Sequence, residues 1–144
     1  MGTYEIDEAT FALDERMQDI SGNSLEAELP DGGIMRIYVV RRPKEDGTLA
    51  VQVRARLADL RRQLPGYEAG AEVEVEVDGR AALESRFSYR DGTAELYQRT
   101  VGFFVDKKLV MLGIVAPTAA IDLANSTFEN AIRTLEIDDK SELH

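Results

Sequence analysis

Three carboxylates, Glu72, Glu74 and Glu76, alternate with valines through Val77, and in an extended chain all three project from one face. Grouped oxygens are what a hard divalent cation takes, but such an ion needs about six to eight of them, and nothing regular nearby supplies the others. Like charges in a row are tolerated where water solvates them, so the triplet reads as the wet face of an exposed or edge strand. Asp14 and Glu15 could serve acid–base hydrolysis only with a carboxylate facing them across a cleft. An acidic-cleft enzyme therefore requires a pocket of convergent carboxylates. Other chemistry is scarce. The chain has no cysteine, which removes disulfides, thiolate nucleophiles and zinc-finger ligand sets, and its one histidine is the terminal His144. Neither GxxxxGK[ST] nor GxGxxG occurs, so no phosphate-cradling loop is expected. The expectation is a protein without catalytic residues, metal or cofactor.

Charge narrows the partners. A net charge of -10 opposes binding to nucleic acid or anionic lipid, both of which demand a positive surface. A local basic cluster at Arg54, Arg56, Arg61 and Arg62 reads either as the solvated flank of a helix or as a docking surface for an acidic partner. Met1 to Glu8 shows neither a basic nor an apolar leader region, so a cytoplasmic location is expected, and the Asn125-Ser126-Thr127 sequon is set aside with it. The longest apolar stretch, Leu109 to Ala116, falls far short of the roughly 20 residues of a membrane helix. Direct membrane insertion is not expected.

A balance of 44% apolar and 31% charged residues over 144 positions suits one globular domain rather than a disordered chain. Short strands are predicted over Thr3 to Ile6 and Thr10 to Leu13, then a loop over Gln18 to Asn23. A hairpin follows, Ser24 to Leu29 and Ile34 to Arg41, about the turn residues Pro30-Asp31-Gly32-Gly33. Leu49, Val53, Leu57, Leu60 and Leu64 fall on one helical stripe, with Thr48 as cap and Pro65-Gly66 as terminator. Four hairpin-linked strands come next: Glu72 to Val77, Ala81 to Tyr89, Thr93 to Val105 and Leu109 to Ala116. After an irregular turn at Pro117-Thr118, Ser126-Thr127-Phe128-Glu129 matches a capping box and predicts a last helix from about Thr127 to Thr134. The order gives an α+β fold, a predominantly antiparallel twisted sheet with two main helices, in a single domain over residues 1–135. Residues 136–144 are expected to form a flexible acidic tail.

Three of these strands are apolar on both faces. In Ile34 to Arg42, one face carries Ile34, Tyr38 and Val40 and the other Met35, Ile37 and Val39, while Leu109 to Ala116 is apolar throughout. Either the two helices flank the sheet, one per side, or a second subunit or a ligand covers what they leave bare.

The segments Tyr4 to Ala9 with Phe11 and Leu13, Gln18 to Asn23, Ile37 to Arg42, Arg61 to Tyr67 with its Gln-Leu-Pro-Gly turn, and the closing Thr134-Leu135 resemble the DcrB superfamily with its PsbP-like fold. More narrowly, they resemble the Eag chaperones of type VI secretion systems. The resemblance implies a homodimeric cytosolic adaptor whose partner is a secreted effector, held by its N-terminal transmembrane segments before export. Such a helix would otherwise expose about 20 apolar residues to water. Carried over by matched segment, the cargo-binding groove would comprise Gly22, Ser24, Ile37, Val39, Arg41, Gln98 and Thr100, with Arg41 departing from the small polar residue that suits such a groove. The other reading of the same residues is ordinary sheet packing, or a dimer contact in a homodimeric assembly module of that superfamily with no cargo groove.

Overall fold

The computed structural model describes residues 2–5, 9–13, 18–21 and 24–137, with side chains from residue 24 onward. Its strands are β1 (Gly2–Glu5), β2 (Ala9–Leu13), β3 (Gln18–Ser21), β4 (Ser24–Glu28), β5 (Ile34–Pro43), β6 (Glu68–Val77), β7 (Arg80–Asp91), β8 (Ala94–Val105), β9 (Lys108–Pro117) and β10 (Glu136–Ile137). Helix α1 (Leu49–Gln63) lies between β5 and β6, and α2 (Ile121–Arg133) between β9 and β10. A seven-stranded sheet has the order β3-β4-β5-β9-β8-β7-β6, and β1-β2-β10 form a small second sheet. Every pairing is antiparallel.

This order follows from the connections. The chain leaves β5 near the middle of the sheet, crosses one face as α1, and enters at the far edge as β6. Short turns then walk the meander back until β9 lies beside β5, because tight turns join only antiparallel neighbours. The apolar stripe of α1 packs Val53 and Leu57 onto Leu83, Phe87, Leu109 and Met111. Gly102 lets α1 come this close, since a Cβ there would meet Val53 Cγ2 at 2.6 Å. Thr48 caps the helix as its spacing predicts, its Oγ1 accepting from the Val51 amide at 3.2 Å.

The second helix crosses the opposite face, where Ala124, Phe128, Ala131 and Leu135 join the larger core around Met35, Ile37, Val101, Phe103, Leu112 and Ile114. Two charged groups of opposite sign, Arg99 and Glu84, are buried in this layer. The Arg99 guanidinium, on a residue 5% exposed, donates from Nε to Glu84 Oε1 at 2.8 Å and from Nη2 to Glu84 Oε2 at 3.2 Å. Its Nη1 reaches Asn125 Oδ1 and Glu129 Oε1 on α2, each at 3.2 Å. With its donors so engaged the charge is held rather than stranded, and it fixes α2 against β7 and β8.

Three sequence expectations are corrected. Gln18 to Ser21 is not loop but edge strand, paired with β4 through Gln18↔Glu26 and Asp19↔Leu25; its polar residues give no alternation to read, and the pairing is irregular between Asp19 and Ser21. The last helix begins at Ile121, directly after a 3₁₀ turn over Thr118–Ala120, not at Thr127. Ser126 sits inside it, its hydroxyl donating to the Leu123 carbonyl at 3.1 Å instead of capping a terminus. Glu136 and Ile137, assigned to a flexible tail, pair with Thr10 and Ala9, and the Ile137 amide donates to Asp78 Oδ2 at 2.8 Å. The rest of that tail lies outside the described residues.

Candidate functional site

The two helices do take one face each, yet α1 covers only part of its own. Register partners carry one row of that face from β4 to the far edge: Ser24, Tyr38, Gly113, Thr100, Ser85 and Glu72. Beside α1, over β5, β9 and β8, a groove of about 860 Å³ stays open. Its floor is Tyr38, Val40, Met111, Val115, Gln98 and Thr100, and its helical wall is Arg56, Leu60, Gln63 and Leu64. The wall residues lie at spacings of four, three and one, which place them along one side of α1.

The groove has the dimensions of a helix seat. Its residues along β5 run from Ile34 to Arg42, and at about 3.3 Å per residue that is roughly 26 Å, the length of a helix of about 17 residues. A helix about 10 Å across occupies roughly 420 Å³ per turn, so the volume suits about four turns sunk to half their depth.

Polar groups on the floor are few and specific. The Gln98 side-chain amide donates to the Tyr38 hydroxyl, and burial pushes the Tyr38 phenol well above its ordinary range, with the Gln98 bond acting the other way. The Tyr38 ring lies over Gly113, where a Cβ would meet its hydroxyl oxygen at 2.4 Å; the missing side chain is what lets the ring sit in the floor. Thr100 is 1% exposed, and its Oγ1 has no hydrogen-bond partner among the described residues. Such an unsatisfied buried hydroxyl costs about 1–3 kcal/mol; on a residue only 1% exposed it lies beneath the floor, out of an occupant's direct reach. Ser85 Oγ, the next position on this row, is also without one.

Of the expected cargo residues, Ser24, Gln98 and Thr100 line this groove. Ile37 and Val39 do not: Ile37 is 1% exposed in the core against α2, and Val39 packs beside it. Arg41 shares their parity on β5, and Gly22 lies outside the described residues. The correction has a simple cause. Side chains alternate along a strand, and the pairing Tyr38↔Gly113↔Thr100 puts even-numbered β5 residues, not odd ones, on the face of Gln98 and Thr100. The resemblance located the strand and missed its face. Tyr38, Val40 and the α1 wall were the residues overlooked, although the alternation in β5 had already separated Ile34, Tyr38 and Val40 from Ile37 and Val39.

The acidic triplet sits apart, on the edge strand β6, where Glu72 accepts from Arg54 Nε at 2.8 Å. Among the described residues no group of three or more metal-ligating side chains comes together, and no helix is long and apolar enough to cross a membrane.

The family model described as DcrB matches residues 8–134. No curated protein matches the sequence. Among solved structures, a protein of unknown function, PA94 from Pseudomonas aeruginosa, is similar with a TM-score of 0.72 at 20% identity, covering 94% of this chain and 96% of that one. LpqN of Mycobacterium tuberculosis, described as involved in cell envelope biogenesis, has a TM-score of 0.69 at 13% identity, covering 90% and 82%. Cyanobacterial PsbP from Synechocystis has 0.66 at 13%, covering 95% and 92%. At these identities the likeness shows a shared PsbP-like fold.

Proposed function

This chain belongs to the DcrB family, and on that premise we propose that it is a cytoplasmic adaptor chaperone that shelters the N-terminal transmembrane segments of a type VI secretion effector and aids its loading. The observation that carries the reading is the groove beside α1, helix-sized, apolar along Val40, Leu60, Leu64, Met111 and Val115, with the half-buried Tyr38 hydroxyl, bonded by Gln98, on its floor. Apolar walls replace lipid for the cargo helix. The Tyr38 and Ser24 hydroxyls, on half-buried residues lining the groove, supply the polar contacts by which membrane helices pack on one another.

A seat of half depth leaves the outer side of the cargo wet, so a second cargo helix or a second copy of this chain completes the shelter; we propose a homodimer. Co-expression with the N-terminal transmembrane region of an effector encoded nearby should give a soluble complex on size exclusion. An effector region equally soluble and equally well exported without this protein contradicts the reading.

Ile34, on the groove lip, is 50% exposed, and this favours one alternative: a homodimeric assembly module in which the partner copy itself fills the groove. That protein would be a dimer by light scattering and would take up no apolar helix.

A further inference from the structure

Charge is shared unevenly along the groove. At the Ile34 end, Arg36 donates from Nε to Glu26 Oε1 at 2.8 Å, and Asp91 also lines the groove there. Toward the other end stand Arg42, near the end of β5, and Arg56, the groove residue of α1 nearest that helix's start. Arg42 is exposed and its guanidinium has no ion pair among the described residues. Arg56 lies 3.6 Å from Asp59, and that one carboxylate is also bonded by Arg62. In a chain of net charge -10, a local positive excess at one end of an apolar groove is not a by-product of composition.

Resting on the chaperone reading, we propose that the Arg42–Arg56 end receives the negative end of the bound helix, so that the cargo runs parallel to β5. A helix ends in four carbonyls without intrahelical partners and carries about half a negative charge there. Guanidinium groups donate to such carbonyls, and to any Asp or Glu beside them, through several N–H groups at once. A helix N-terminus, with its free amides and opposite charge, is repelled from the same place. The partner is thus an apolar helix of another protein whose acidic residues gather at its C-terminal end.

The test uses two synthetic 18-residue Leu/Ala/Ser helical peptides of identical composition, one with two Lys at its N-terminus and two Glu at its C-terminus, the other with these exchanged. The chain has no cysteine, so a fluorophore on Lys44→Cys, just beyond Arg42, reports which peptide terminus carries a nearby quencher. The expected result is quenching from the C-terminus and about three- to tenfold tighter binding of the Glu-ended peptide at low salt. That gap should close in high salt and reverse in the double variant R42E/R56E, which changes one exposed and one half-buried side chain. Equal binding of both peptides, or quenching from the N-terminus, overturns the polarity and leaves the groove reading standing. Failure of both peptides to bind while the protein self-associates through the groove overturns the two together.

Discussion

At the scale of single residues, the groove and the core can be told apart by substitution. Ile37 is wholly enclosed against α2, so Ile37→Asp should unfold the protein, costing on the order of 4 kcal/mol or more by chemical denaturation. A variant that folds normally and loses only cargo binding would put Ile37 back in the groove. Tyr38 offers a gentler probe. Its folded phenol is held above the ordinary tyrosine value by burial, while in the unfolded chain it ionises near pH 10. The folded state therefore keeps a proton that the unfolded state releases, and stability is constant below about pH 10 and falls as pH rises further. Tyr38→Phe should flatten part of that alkaline loss. At neutral pH it should cost about 1–3 kcal/mol, because the Gln98 amide, on a residue 6% exposed, loses its acceptor. An unchanged alkaline limb would show that other tyrosines dominate it.

At the scale of elements, the buried Arg99–Glu84 pair tests how α2 is fixed to the sheet. Glu84→Gln removes the buried counter-charge and one of its two acceptor oxygens, leaving Glu129 on α2 as the carboxylate that faces the guanidinium, and should cost about 3–5 kcal/mol in thermal or urea melts. The double variant Arg99→Met with Glu84→Leu should recover most of that, since removing both partners strands no charge. A double variant as weak as the single would mean that α2 docking needs the network itself. The elements also show what sequence could and could not convey. Helix α1 and the β6–β9 meander were legible because their signals are local: an apolar stripe closed by Thr48 and Pro65, and turn residues between alternating strands. Strand β3 was not, because an edge strand of polar residues carries no pattern of its own and is defined by its partner β4. The start of α2 was displaced by a capping-box motif at Ser126 that fits a helix interior equally well.

At the scale of the whole molecule, the proposed function depends on an inequality of cover. Helix α2, with Leu135 just beyond its end, packs over the larger core on one face of the sheet, whereas α1 stops short and leaves β5, β9 and β8 open over about 860 Å³. The sequence announced this surplus, in strands apolar on both sides, but not which face kept it. That required the register that sets Tyr38 across from Gly113 and Thr100, a long-range fact no local spacing contains. The most direct measurement is site-specific photocrosslinking in the complex with an effector's transmembrane region. A benzophenone residue is placed in turn at Leu60, on the groove wall, and at Ile121, 37% exposed at the start of α2 on the opposite face. The account predicts strong crosslinking to the cargo from position 60 and none from position 121; equal yields from both, or cargo captured from 121 alone, would contradict it.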